Sequence, residues 1–338
     1  MKRMIAERTG GPEVLVLSEE NMPEPGPGEA RVKVLAAGVA FGDLLWMSGV
    51  VPGGPKPPFS PGYDFVGVVD KIGAGVERLA IGQRVAALVQ TGGYAEYSCW
   101  PSDALTPVDD DLDPARLICL TLNYVTAYAL INRIGNVSAG QCVLVHGASG
   151  GMGTAMLDVC QMMGIQAFGT ASQAKHDLVK GLGGTPIDYR SEDFVDVVNR
   201  EGGVDMVVDH MGGSHLARSF KCLRPEGTLV ATSSYAAAMG HSGMLESLVG
   251  LIRLQLWNLW PNRRSARLFD VTTYYKKKPG LYAQDLLLLS DHLAAGRLNP
   301  VLDKTYPLEE AQQALQYLRD GQAKGKVALL TEAYKTEG

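Results

Sequence analysis

The residues with the clearest chemical purpose run from Gln141 to Thr154, QCVLVHGASGGMGT. Val143, Leu144 and Val145 make the apolar run of a strand buried on both faces. The turn Gly147-Ala148-Ser149-Gly150-Gly151-Met152-Gly153 follows, and the chain from Thr154 to Met163 is rich in helix formers. A strand, a tight glycine turn and a helix, in that order, are what dinucleotide binding requires. The helix start offers unpaired N–H groups and a partial positive charge to a pyrophosphate. Gly150 lets the backbone approach the phosphates, and Gly153 lets the helix lie close on the strand. Ser149, Gly151 and Met152 complete the expected cradle, while Ala148 stands where the usual pattern has its first glycine.

A second signal is an absence. In NAD-binding sheets an acidic residue at the end of the second strand holds the ribose diol. Counting from Ala148 reaches Ala171, within Gly169-Thr170-Ala171-Ser172, and no acid stands there. Thr170, Ser172 and Lys175 occupy the neighbourhood instead. A carboxylate beside a 2′-phosphate costs roughly 4 kcal/mol per unit charge at an effective dielectric of about 20. A lysine or hydroxyl gains about 1.5–3 kcal/mol per charge-assisted bond. The sequence thus favours NADPH over NADH; a solvated lysine at a helix start is the alternative for Lys175.

The elements that must position these residues follow from pattern. The 338 residues suffice for two domains, each with a core. Up to about residue 120, short β-branched runs (Arg31–Leu35, Phe65–Val69, Arg84–Val89) alternate with Gly/Pro turns, as in a small barrel, with a short helix expected over Asp43–Met47. From about Pro114 a helix carries the chain across through Tyr128. Beyond the glycine turn, strands are expected at Ile165–Thr170, Val204–Asp209 and Gly227–Thr232, with helices over Gln173–Leu182 and from Ser214. Such βα repetition implies an α/β fold with a doubly wound parallel sheet. A helix over Leu308–Arg319 and a strand over Lys326–Leu330 are expected to return to the first domain.

Composition excludes several classes. A formal net charge of −5 leaves no basic excess for nucleic acid. The five cysteines (99, 119, 142, 160 and 222) are scattered without C-x-x-C spacing, which reads as reduced thiols of a cytoplasmic protein. The segment Leu248–Trp260 is apolar but interrupted by Arg253 and too short to span a bilayer, so no stable membrane insertion is expected.

Several stretches in this order resemble the medium-chain dehydrogenase/reductase superfamily, in the zinc-independent quinone oxidoreductase branch that includes zeta-crystallin and the synaptic-vesicle amine-transport-like proteins. They are Gly38-Val39 through Asp43, Pro61-Gly62-Tyr63-Asp64-Phe65-Val66-Gly67, Gly92-Gly93-Tyr94-Ala95-Glu96-Tyr97, Thr126-Ala127-Tyr128, Val145 through Gly153, and Ile187-Asp188-Tyr189-Arg190. The resemblance covers almost the whole length. It implies a GroES-like catalytic domain (1–121 and 296–338), an NADPH-binding Rossmann domain (122–295), an active site in the cleft between them, and a homodimer. Zinc alcohol dehydrogenases of the superfamily carry a cysteine where this chain has Ala40, and a His-Glu pair where it has Tyr63-Asp64. The six histidines show no ligand grouping in sequence, so the chain reads as metal-free.

The resemblance also assigns roles. Tyr63 lies near the cleft, either as a phenol that donates to a substrate oxygen or as a tyrosine packed under the loop. Asp43 is either catalytic or a structural acceptor. Tyr124 and Tyr128 are four apart on one helix face; Tyr124 is placed to line the pocket and Tyr128 in the core. Thr126 corresponds to the family threonine near the nicotinamide, and Tyr189 to the tyrosine against the 2′-phosphate. Ser233 and Ser234 fall where the backbone approaches the nicotinamide ribose, and Lys324 and Lys326 are placed to reach a phosphate. Phe41, Leu45 and Trp46 give an apolar floor suited to a flat hydrophobic or aromatic carbonyl substrate. The implied activity is NADPH-dependent reduction of a quinone or enone. The alternatives are an enoyl-thioester reductase and a non-catalytic NADPH-binding regulatory protein. The segment His241–Pro279, Trp/Leu-rich and then basic, reads as an amphipathic helix with solvated basic residues or as a lid, a carrier dock or an interfacial patch.

Overall fold

The computed structural model describes all residues except 52, 233–243, 260–262, 279 and 338, and leaves aside the side chains of 244–248, 251, 253 and 337. The chain opens with a hairpin, β1 (Lys2–Ala6) and β2 (Leu15–Glu19), and continues through β3 (Glu29–Val39), β4 (Asp64–Ile72), β5 (Arg84–Leu88), β6 (Tyr97–Pro101) and β7 (Thr106–Pro107). Next come β8 (Cys142–Val145), β9 (Gln166–Ala171), β10 (Thr185–Asp188), β11 (Val204–Asp209), β12 (Leu223–Ala231) and β13 (Ser265–Leu268). The last strands are β14 (Leu302–Pro307) and β15 (Lys326–Leu330).

Two compact units result. The first holds residues 1–125, 280–296 and 300–338, the second 126–279 and 297–299. In the first, the strand order is β14-β15-β3-β4-β5-β7. The 11-residue β3 organises it: one edge pairs with β4, while the other is shared by β6 along 29–33 and β15 along 36–39. That sharing curls the sheet around a core of Val32, Leu44, Met47, Phe65, Tyr94 and Leu329. The helix Leu281–Ala294 belongs to this unit, although the sequence boundaries put it in the second domain. Its Tyr282 hydroxyl donates to the Thr121 carbonyl at 3.0 Å.

The second unit is a six-stranded sheet, order β10-β9-β8-β11-β12-β13, with every pairing parallel. All four residues of β8 are buried, as a central strand covered on both faces must be. The order runs outward in opposite directions from β8 and β11, which makes the gap between their carboxyl ends the switch point of the sheet. Two strands escape the sequence reading. β10 is short, and β13 lies inside the segment read as helix with solvated basic residues. The helix Met244–Leu259 is present there; it buries Leu254 and stacks Trp257 on Phe220 at 4.5 Å.

The helix Pro114–Ile134 is, among the described residues, long and apolar enough to cross a membrane, and 67% of its most apolar window is buried in the fold. It contains wider π-helical turns at Leu120–Tyr124 and Ala129–Ile134. Between them Val125–Tyr128 is regular α-helix, and the two tyrosines differ in depth: Tyr124 is fully buried and Tyr128 half-buried.

Candidate active site

The glycine turn of the second unit is built for an anion. Gly150 caps the helix Gly151–Met162 without any side-chain cap, and no acidic residue stands in its first turn. A Cβ on Gly150 would meet only the Gly147 carbonyl, at 3.5 Å, so the backbone lies open there. A Cβ on Gly153 would come 2.5 Å from Ala148 Cα, so only glycine lets the helix start this close to the strand. Ala148 is tolerated in place of glycine because the neighbouring strand has a glycine opposite: a Cβ on Gly169 would sit 2.6 Å from the Ala148 methyl. Ser149 is buried in the turn, and Met152 is half-buried. Thr170 is engaged from below, accepting from Gly147 N at 3.1 Å and facing His146 Nδ1 at 3.2 Å.

At the edge of this turn, β9 and β10 end side by side, with Asp188 level with Ala171. Ser172 and Lys175, both half-buried, therefore follow one strand end while Tyr189 and Arg190 follow the other. Tyr189 is 55% exposed, and the Arg190 guanidinium lies 5.6 Å from its ring centroid. Asp188 is an acid in this neighbourhood that counting along the second strand does not find. Its carboxylate is turned into its own loop, accepting from Arg190 N at 3.1 Å and Ser191 Oγ at 2.9 Å, which hold it below the usual carboxylate range. Arg190 and His176, whose Nε2 is buried without a hydrogen-bond partner, are candidates the sequence reading missed; both flank residues it had singled out. Thr126 is buried in this unit. Ser233 and Ser234 lie outside the described residues.

The histidines do gather, contrary to the sequence expectation. Ligand atoms of His146, Asp209 and His215 lie within 4.8 Å of one another. The space among them is taken by the Ser219 hydroxyl, 2.6 Å from Asp209, 3.1 Å from His146 and 3.4 Å from His215. A serine hydroxyl at the centre makes this a hydrogen-bonded cluster rather than a metal cage. His146 after β8 meets Asp209, His215 and Ser219, which lie more than 60 positions on at the end of β11 and on the helix after it, which is why spacing alone could not reveal it.

In the first unit, the helix Phe41–Ser48 buries Asp43, Leu44 and Met47 and leaves Phe41, Leu45 and Trp46 half-buried. Tyr63 stacks on Trp46, with ring centroids 6.3 Å apart and planes 15° from parallel. Two glycines make room for the pair. A Cβ on Gly42 would meet Tyr63 Cε2 at 2.5 Å, and one on Gly54 would meet Trp46 Cε3 at 2.6 Å. Asp43 is fully buried, accepting from Ala40 N and Gly62 N at 2.9 Å each and from the Tyr94 hydroxyl at 2.8 Å. It pins the loop before Tyr63 to the helix start. Tyr124 is likewise fully buried.

Two family models match the chain: an alcohol dehydrogenase GroES-like domain over residues 26–110, and a zinc-binding dehydrogenase over 183–329. The synaptic vesicle membrane protein VAT-1 homolog of Rattus norvegicus is 32% identical, over 91% of this chain and 78% of that protein. A 2-haloacrylate reductase of a Burkholderia species is 31% identical, over 97% of this chain and 98% of its own. The solved structure of mycobacterial Rv1454c complexed with NADPH superposes with a TM-score of 0.85 at 26% identity, covering 98% of this chain and all of that one. The chain belongs to the medium-chain dehydrogenase/reductase superfamily.

Within that superfamily it falls in the zinc-independent quinone oxidoreductase-like branch, with a GroES-like first unit and a Rossmann second unit. The residues at the metal-ligand positions of the superfamily's zinc enzymes explain why. Ala40 offers no donor, and Tyr63 is stacked on Trp46. Asp64 is spent on a buried ion pair with Lys326 at 3.2 Å and a short bond from the Thr121 hydroxyl. Lys326, placed near a phosphate by the sequence reading, is thus a core residue of the GroES-like unit; Lys324 remains exposed.

Burial pushes the Asp43 carboxyl up to about 7 from 3.8, against the three donors that favour its ionised form. A raised folded-state value means the folded protein holds the proton more tightly. This group's contribution to stability is therefore full below pH 3.8 and declines as pH rises towards about 7. Tyr94→Phe removes one donor from the ionised form. Its cost in a urea titration should reach about 1.5–3 kcal/mol near pH 9 and shrink near pH 5; an equal cost at both would contradict this assignment.

Proposed function

We propose that this chain is an NADPH-dependent, metal-free reductase that delivers hydride to a quinone or to the β-carbon of an α,β-unsaturated carbonyl compound. The observation carrying the reading is the uncapped helix start beside two adjacent strand ends, followed by Ser172 and Lys175 on one and Tyr189 and Arg190 on the other, with the neighbouring carboxylate, Asp188, bound up in its own loop. The Gly151 and Met152 amides would take the pyrophosphate; Ser172, Lys175, Tyr189 and Arg190 would take the 2′-phosphate. Thr126 would lie by the nicotinamide. Bound there, the reduced nicotinamide supplies a hydride equivalent.

The protein's part is to orient the acceptor and stabilise the charge that moves onto its oxygen. Tyr63 carries the phenol suited to that task, and the half-buried Phe41, Leu45 and Trp46 would offer apolar contact to an aromatic or enone skeleton. Tyr63 would hydrogen-bond the acceptor's oxygen as negative charge moves onto it, and Tyr63 or solvent would supply the proton that completes the product. The relative named 2-haloacrylate reductase favours an electron-poor double bond over a quinone. An enoyl-thioester substrate docked by the basic stretch is the weaker reading, because several of those cations have local partners. Arg263 pairs with Glu226, Arg264 lies over Phe220 and Lys278 over Tyr274.

We also infer that two copies pair through the helix Met244–Leu259. Ile252, Leu256 and Leu259 are 50, 55 and 81% exposed there, and Leu268 on the adjoining edge strand is 62% exposed. The Asn258 side chain holds both the N–H and the carbonyl of Ala266 in β13, so a partner would meet side chains rather than a bare strand edge.

Three measurements follow. Absorbance of NADPH with a panel of quinones, enones and enoyl thioesters should fall with at least one acceptor. Cofactor binding with no turnover on any would favour the regulatory alternative. Lys175→Ala should weaken NADPH about tenfold or more and NADH little; equal losses would remove the 2′-phosphate assignment. Light scattering should give twice the chain mass, reduced to the monomer by Leu256→Glu, whereas a monomeric native chain would refute pairing.

A further inference from the structure

The switch point of the Rossmann sheet has a polar floor that the proposed reaction does not use. His146 follows β8 on one side of the point, and Asp209 ends β11 on the other. Ser219, on the helix His215–Lys221, bridges them. All are buried, with His215 only partly so.

The hydrogen bonds fix where each proton sits. Asp209 Oδ1 accepts from Met211 N at 2.8 Å and Gly212 N at 3.1 Å; Oδ2 accepts from Ser219 Oγ at 2.6 Å and His215 Nδ1 at 2.8 Å. Burial alone would raise this carboxyl, but the hydrogen bonds from His215 and Ser219 help hold it below its ordinary value. Ser219, having given its hydrogen to Asp209, can only accept from His146 Nε2 at 3.1 Å. Thr170 Oγ, accepting from Gly147 N, is left to donate to His146 Nδ1. Burial lowers the His146 pKa to about 3, so it stays neutral, with its proton on Nε2. A single directed chain thus runs from the first amide of the glycine turn to the carboxylate that holds the loop 210–212.

We propose that His146 is a positioning residue for the dinucleotide: it locks the glycine turn after β8 to the loop after β11 across the switch point, and so fixes the direction in which the amides of Gly151 and Met152 point. The role rests on the dinucleotide site proposed above. It concerns the turn and not the 2′-phosphate, so it applies equally to NADPH and NADH. Phe194 and His215 stack on each other and both meet the His146 ring edge-on, with centroids 4.8 and 4.4 Å from it. A phenyl ring, slightly larger and without nitrogens, stays within this aromatic cluster and deletes the chain.

The test measures dissociation constants of NADPH and NADH by calorimetry for the native protein, His146→Phe, His146→Gln and Ser219→Ala, with unfolding midpoints alongside. His146→Phe should weaken both dinucleotides by the same factor, about tenfold or more, and raise the cofactor KM while leaving kcat at saturation unchanged. His146→Gln, which returns an N–H near the Nε2 position, should recover most of the affinity. Ser219→Ala should weaken binding too, and its effect should not add to that of His146→Phe, since both cut one chain. Unchanged affinity in His146→Phe and Ser219→Ala would overturn the proposal. So would glutamine no better than phenylalanine at equal unfolding midpoints, or an effect on NADPH alone. A native protein that binds neither dinucleotide would overturn the cofactor reading itself, and this proposal with it.

Discussion

The start of the helix Gly151–Met162 leaves its first N–H groups without a side-chain cap, at the point where the parallel sheet reverses its winding. Backbone donors at a helix start, aided by the helix dipole, attract an anion before any side chain is considered. Much of the second unit is arranged so that this feature can exist. Gly153 and Gly169 let helix, turn and neighbouring strand approach closely enough to aim the amides. Thr170 and His146 secure the turn from beneath. Ser172, Lys175, Tyr189 and Arg190 follow the adjacent ends of β9 and β10, where the Asp188 carboxylate is withdrawn into its loop.

The first unit solves a different problem with related physics. It buries two carboxylates close together and neutralises each in its own way. Asp64 meets the Lys326 ammonium and the Thr121 hydroxyl, while Asp43 meets two amides and a phenol. Breaking a buried pair by removing one partner costs about 3–5 kcal/mol, so such groups are committed to structure. With Asp64 committed and Ala40 offering no donor, the polar group left at the old ligand positions is the Tyr63 phenol. The chemistry this unit can offer is therefore hydrogen bonding and shape rather than Lewis acidity.

Local patterns were legible in the sequence: the strand, turn and helix of the dinucleotide motif, the end of β9 at Ala171, the helix over Phe41–Ser48, and the return of the last strand to the first unit. Each depends on neighbouring residues or on period. What escaped depends on pairings between distant segments. Lys326 meets Asp64 across 262 positions, His146 meets Ser219 across 73, and Asp188 reaches the edge of the second strand only through β10. Tyr124 and Tyr128 lie four apart on one α-helical stretch yet differ in burial, which spacing alone does not determine. Ala148, a departure from the motif by sequence, becomes intelligible only beside Gly169.

The account rests on an anion site that welcomes a second phosphate, and a crystal structure of the chain with NADPH tests it most directly. The expected density places the pyrophosphate on the Gly151 and Met152 amides and the 2′-phosphate among Ser172, Lys175, Tyr189 and Arg190. An Asp188 carboxylate swung out of its loop to grip an unphosphorylated ribose, or a dinucleotide that leaves the helix start untouched, would contradict it.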